Sequence, residues 1–156
     1  MPAWKRIVCA VDESSGSYAA MRAAARLARD LGAELLLVHV DAKPAGEALF
    51  APPPAARVFT QHSEVQRWLA LGSDLRGEAV SVERLTGDAA GEIVAFARRA
   101  RADLLVVGAR ARNPLSLALG SIAARVLVHA PCPVLVASPE GEERERLKSD
   151  FPGQNT

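Results

Sequence analysis

Short uninterrupted apolar runs alternate along this chain with longer stretches in which apolar residues recur every three or four positions. The runs at 6–11 (RIVCAV), 34–40 (ELLLVHV), 104–107 (LLVV) and 133–137 (PVLVA), with a weaker one at 79–85, read as five strands. The stretches between them read as helices. One extends from Ser17, a candidate cap, to about Leu31, where Gly32 supplies the stop. Val58, His62, Val65, Leu69 and Leu75, with Trp68 beside Leu69, mark a second, amphipathic helix. A third opens at Gly87 and Asp88, carries Ile93, Phe96 and Ala97, and closes on Arg98, Arg99 and Arg101, whose charge suits a helix C-terminus. The last occupies residues 120–130. Loop 41–54 contains Pro and Gly and an apolar patch at Ala48, Leu49 and Phe50. A single domain over residues 1–138 is expected, followed by a polar, mobile tail at 139–156.

Strands that alternate with helices and are apolar without interruption describe an α/β fold, a parallel sheet covered by helices on both faces. A chain of 156 residues is long enough to bury one full core. Apolar residues make up 49% but aromatics only 4%, so that core is aliphatic and its helices pack closely on the sheet. The formal charge is +1 with both signs interspersed, which lacks the basic face that nucleic acid requires. The apolar runs are far too short to span a bilayer. The N-terminus leads directly into strand-like sequence with no secretory pattern, so a cytoplasmic location is expected. Cys9 and Cys132 lie far apart and form no CxxC, which points to neither a redox pair nor a zinc site. No tandem repeat is present.

Candidate chemistry concentrates in residues 108–121, GARARNPLSLALGS. A strand ends at Gly108, a short basic segment follows, and Gly120 and Ser121 open a helix. Strand end, turn and helix N-terminus together form the layout of an anion site. Arg110 and Arg112 lie within it, and a guanidinium can meet phosphate oxygens bidentately. An ordinary strand-to-helix connection with solvated arginines reads equally well at this level. In a doubly wound sheet the ligand crevice lies beyond the carboxyl ends of the strands, where the strand order reverses. Asp12 follows the first strand and Gly108 the fourth, so the two converge if those strands are neighbours.

The blocks KRIVCAVDESSGS, LLLVHV, GDAAGEIVAFARRARADLLVVG and GSIAARVLVHAPCPVLVAS resemble the universal stress protein family, over nearly the whole chain up to about Ser138. The resemblance implies an open five-stranded parallel sheet of order 3-2-1-4-5, dimerisation and a part in stress survival. Nucleotide-binding members carry a loop of the form G-x-x-G-x9-G-[ST]. Gly108, Gly120 and Ser121 match it. Ala111 stands at the second glycine, and eight residues rather than nine separate it from Gly120. Where that position needs a positive φ, Ala costs roughly 1 kcal/mol or more. Pro114 also removes one backbone donor. Carried over residue by residue, the resemblance places Ala10, Val11 and Asp12 beside an adenosine, Val40 against its base, and Gly108, Ala111, Gly120, Ser121 and Ile122 around its phosphates. The ligand implied is ATP or another adenine nucleotide, with Mg only alongside it. The dimer contact implied is the last strand, through Val134, Leu135 and Val136.

Other signals lead elsewhere. There is no GxxxxGK[ST], GxGxxG or GxSxG; Gly72 and Gly77 imitate half a P-loop, but Glu78 follows where Lys is needed. His39, His62 and His129 have no Ser, Cys or Asp partner fixed by spacing and read as structural. Cys9 reads as an inert core thiol, and Cys132, between two prolines, reads equally as an exposed, oxidisable thiol or as part of a chain turn into the last strand. Asp88 reads as a helix cap. The leading expectation is a stress-response module that binds an adenine nucleotide without being an enzyme, any hydrolysis being slow. The competing expectation is a member without nucleotide that acts through its dimer or partner surface. A phosphorelay receiver would need a Lys after the fifth strand, where Ser138 stands.

Overall fold

Ile7, Val8 and Cys9 are completely buried, so the first strand is covered on both faces and lies at the middle of a sheet. The structure, a computed structural model, describes residues 3–12, 15–42, 80–113, 116–118 and 120–138. In chain order the elements are β1 (Arg6–Ala10), α1 (Ser15–Leu31), β2 (Glu34–Ala42), β3 (Val80–Gly87), α2 (Ala89–Arg99), β4 (Leu104–Gly108), β5 (Arg110–Asn113), β6 (Ser116–Ala118), α3 (Ser121–His129) and β7 (Val134–Ala137). Five strands form the main sheet in the order β3-β2-β1-β4-β7, and every pairing in it is parallel. This is the expected doubly wound order, with β7 as its fifth strand. The helix expected around residues 58–75, the apolar patch at 48–50 and the tail at 139–156 lie outside the described residues.

Two apolar layers hold the helices to the sheet. On one face α1 lays Ala20, Met21, Ala24, Ala25 and Ala28 on Ile7, Cys9, Leu35, Leu37 and Val106. The run of alanines lets the helix approach the sheet closely, and a larger side chain there would overpack it. On the other face α2 and α3 bring Ala90, Ile93, Ala97, Ala123 and Val126 onto Val8, Val38, Leu105 and Val107. Ile7, Leu35, Leu37 and Leu105 are fully buried, and truncating any one of them to Ala costs about 2–5 kcal/mol.

Helix ends follow local chemistry, with one correction. At the end of α1 the N–H groups of Gly32 and Ala33 return to the carbonyls of Arg29 and Ala28, and Gly32 takes φ 62°. This is the left-handed stop expected from the glycine. α2 ends in the same motif, but Arg101 occupies the left-handed position, at φ 52°. Asp88 caps α2 as expected, its Oδ2 accepting the Gly91 N–H at 2.9 Å. Ser17 does not cap α1. The helix begins at Ser15, and the Ser17 Oγ accepts the Asp12 N–H at 2.6 Å.

Residues after β4 also differ from the open basic turn expected of them. β5 and β6 pair as an antiparallel hairpin, Arg110 opposite Ala118, Ala111 opposite Leu117 and Asn113 opposite Ser116, with an irregularity between Ala111 and Asn113.

Candidate functional site

The crevice arises from where strand pairing stops. β1 and β4 pair through Ile7–Leu104, Val8–Leu105 and Cys9–Val106 and no further. Beyond that point β1 stays with β2, the Val11 N–H reaching the Val38 carbonyl at 2.9 Å. β4 stays with β7, the Ala109 N–H reaching the Ala137 carbonyl at 2.8 Å. The strands part because the chain winds outward from β1 in one direction and from β4 in the other, which is the reversal point of the sheet. A space of about 150 Å³ opens there.

Its walls come from β1, α1, β2, α2, β4 and α3. Ala10, Val11 and Asp12 line the β1 side, and Val40 the β2 side. Gly108 lines the β4 side, and Gly120, Ser121 and Ile122 the start of α3. The structure thus brings these eight of the residues singled out in the sequence to one crevice. Arg110, Ala111 and Arg112 stand on β5. Ala111 is not in the left-handed region, where Arg101 is the one non-glycine residue described. The penalty foreseen for Ala in place of the family glycine therefore does not arise.

Sequence reasoning missed Ser17, Val38, Ala89, Ile93, Val107 and Ala123, which also line the crevice. Val38 was legible, because it shares a face with Val40 two positions on. Ile93 was legible as the inward stripe of α2. Ser17 was not, since its contact with Asp12 depends on where α1 begins.

The lining is mainly aliphatic, with polar groups gathered at the rim. Gly120 precedes α3 in extended conformation and gives its first turn no side-chain cap. The free N–H groups of that turn carry the positive end of the helix dipole and open on the crevice. Gly108 has a separate reason to be glycine. A Cβ there would lie 2.3 Å from the Gly16 carbonyl carbon and 2.7 Å from the Ser17 nitrogen. A Cβ on Gly16 would lie 2.1 Å from the Ala109 oxygen. The first turn of α1 thus rests backbone to backbone on the end of β4.

On the opposite face, at the same end of the sheet, His39 places Nδ1 2.8 Å from the Val11 carbonyl and Nε2 3.3 Å from the Asp41 carboxylate. Arg84 of β3 holds the other Asp41 oxygen at 2.5 Å. Partial burial works against ionising Asp41, but the Arg84 hydrogen bond and charge, with His39 added, outweigh it and lower its pKa. Cys9 is pushed well above the ordinary thiol range by burial, as an inert core thiol should be. Cys132 is raised by burial and by the Asp103 charge. Among the described residues no three His, Cys, Asp or Glu side chains converge as a metal would need, and no helix is long and apolar enough to cross a membrane.

The profile of the Universal stress protein family matches residues 3–138. The chain belongs to that family. A universal stress protein from Methanocaldococcus jannaschii is 33% identical over 150 residues, covering 90% of this chain and 85% of the relative. Among solved structures, a universal stress family protein from Burkholderia pseudomallei is 30% identical with TM-score 0.61, covering 87% of this chain and 97% of that one. The Archaeoglobus fulgidus universal stress protein solved in complex with dAMP is 26% identical with TM-score 0.60, covering 86% of this chain and 98% of that one.

Proposed function

We propose that this universal stress protein binds an adenine nucleotide, ATP or a close relative, in the crevice beyond β1 and β4, and acts in the cytoplasm by binding rather than by catalysis. The parting of β1 from β4 carries the reading. It makes one space with an aliphatic wall (Val38, Val40, Ile93, Val107) suited to a base, a carboxylate at Asp12, and an uncapped helix N-terminus at Gly120 and Ser121 suited to phosphate. The dAMP-bound relative supports the same ligand class. Arg110 and Arg112 on β5 follow directly from the crevice residue Gly108 and would serve the phosphates. Mg would accompany the phosphates only when nucleotide is bound.

β7 favours a second component of the function. It is an edge strand of the main sheet, and Leu135 on it is exposed, as are Leu127 and Val128 on the preceding α3. An exposed apolar edge strand invites pairing, so a homodimer through Val134, Leu135 and Val136 belongs to the proposal. Loss of the dimer in Leu135→Lys, measured by analytical ultracentrifugation, is the expected result; an unchanged mass would remove this component.

The test of the nucleotide reading is direct. The native protein is heat-denatured, the released small molecules are resolved chromatographically, and ATP is titrated calorimetrically into the refolded or apo protein. Stoichiometric adenine nucleotide, or saturable heat, is expected. If neither appears, the crevice is not a nucleotide site and the function rests on the surfaces alone.

A further inference from the structure

The peptide unit joining Val11 to Asp12 is held by side chains at both of its polar ends. Its carbonyl faces His39 Nδ1 of β2 at 2.8 Å, and its N–H donates to Ser17 Oγ of α1 at 2.6 Å. This peptide lies beyond Cys9–Val106, the last pair between β1 and β4, so β4 offers it no ladder partner. A peptide at such a position would otherwise rely on water, whereas Val11 is 4% exposed and Ser17 3%. The imidazole is itself oriented, because its other nitrogen faces Asp41, which Arg84 holds from β3. The chain Arg84–Asp41–His39 therefore ends on one backbone carbonyl at the rim of the crevice.

Asp12 hangs from that peptide. Releasing the peptide frees ψ of Val11, and rotation about that bond would swing the Asp12 Cα and its side chain toward or away from the crevice. We propose that His39 and Ser17 are positioning residues that clamp the Val11–Asp12 peptide and so aim Asp12 at the bound ligand. Neither residue needs to touch that ligand through its clamping atoms. His39 acts by donating from Nδ1 to Val11, and Ser17 by accepting from Asp12. The ligand part rests on the nucleotide reading above; the clamp itself does not.

The two parts separate experimentally. ATP affinity is measured by calorimetry, and exchange of the Asp12 amide hydrogen by NMR, in the full chain and in His39→Leu, His39→Asn, Ser17→Ala and Asp12→Ala. Asn places an amide donor where Nδ1 stands, whereas Leu cannot donate. His39→Leu and Ser17→Ala are each expected to weaken ATP binding about tenfold, the worth of one buried hydrogen bond, and to speed exchange at Asp12. His39→Asn is expected to recover most of both. In the Asp12→Ala background His39→Leu should cost no further affinity, since the residue it aims is gone.

Unchanged binding and exchange in His39→Leu would overturn the proposal. So would an Asn variant no better than Leu, or an equal loss of affinity with and without Asp12. If the wild type binds no ATP, the amide alone decides: faster exchange in Leu and recovery in Asn uphold the clamp while the nucleotide reading falls. Should His39→Leu fail to fold, Ser17→Ala with and without Asp12 gives the same decision.

Discussion

Replacing Gly108 by Ala probes how tightly α1 is seated on the sheet. The new methyl carbon would lie 2.3 Å from the Gly16 carbonyl carbon, 2.4 Å from its oxygen and 2.7 Å from the Ser17 nitrogen. Carbon atoms in contact prefer about 3.5–4.0 Å, so the shortfall exceeds roughly 1 Å. All three obstacles are backbone atoms, and no side-chain rotation can relieve them. The first turn of α1 must lift from β4 or β4 must bend. Overpacking of this kind costs about 1–3 kcal/mol, and a rigid backbone obstacle belongs at the upper end. For a domain near 150 residues each kcal/mol lowers Tm by about 2–4 °C, which gives a fall of roughly 6–12 °C. Gly16→Ala, with its methyl 2.1 Å from the Ala109 oxygen, should fall similarly. One displacement of α1 makes room for both methyls, so the double variant should lose less than the sum of the two singles. Thermal unfolding followed by circular dichroism, on the two single variants and the double, measures all of this. A Gly108→Ala protein that melts within about 1 °C of wild type, or a strictly additive double variant, would refute the close-seating argument. The result also controls any binding experiment, because Gly108→Ala displaces Ser17 whether or not phosphate touches Gly108.

The equivalent ends of α1 and α2 give an opposed pair of variants. Gly32→Ala meets no atom within 4 Å and should cost only its left-handed backbone, about 1 kcal/mol, whereas Arg101→Gly should gain a fraction of that; chemical denaturation checks both, and equal signs would count against the assignment. Asp88 supplies the pH prediction. The hydrogen bond from Arg125, then that from the Gly91 N–H, together with the Arg125 charge, lower its pKa to about 2. A carboxylate depressed in the folded state contributes stability above its unfolded value near 3.9, and that contribution is lost as pH falls through the folded value. Asp41, also depressed, adds in the same direction. Asp88→Asn keeps a good cap and should flatten the loss of stability between about pH 4 and 2. Asp88→Ala should in addition be weaker than Asp88→Asn at neutral pH. Denaturation midpoints against pH test this, and an Asn variant with the wild-type acid slope would contradict it.

The sheet was legible because its strands declare themselves twice, as unbroken apolar runs and as runs separated by helical spacing. With β1 and β4 neighbours at the reversal, Asp12 and Gly108 must meet, and the structure brings them to one crevice. Side chains whose partners are set by tertiary placement were not legible. Ser17 read as a cap because Ser at a helix start usually is one. The helix instead begins at Ser15, and Gly16 lets its first turn seat against β4. His39 reads as an unpartnered strand histidine because Arg84 lies across the sheet on β3 and Val11 contributes only a carbonyl. Asp41, two positions on along the same strand face, was legible by spacing; the other two relationships were not.

The segment after β4 shows most clearly why a motif and a geometry can diverge. As a pattern, Ala111 is a lost glycine. As structure it lies in a hairpin strand opposite Leu117, where extended backbone suits Ala as well as Gly. Asn113 likewise pairs with Ser116 in this hairpin. Of the two glycines that do match, Gly108 is required by the backbone of α1, and Gly120 leaves the first turn of α3 without a side-chain cap. A glycine motif therefore mixes a position required by packing with one that leaves a helix N-terminus uncapped. Ala111→Gly is therefore expected to change stability little, and a Tm shifted by several degrees in thermal unfolding would contradict the extended placement of residue 111.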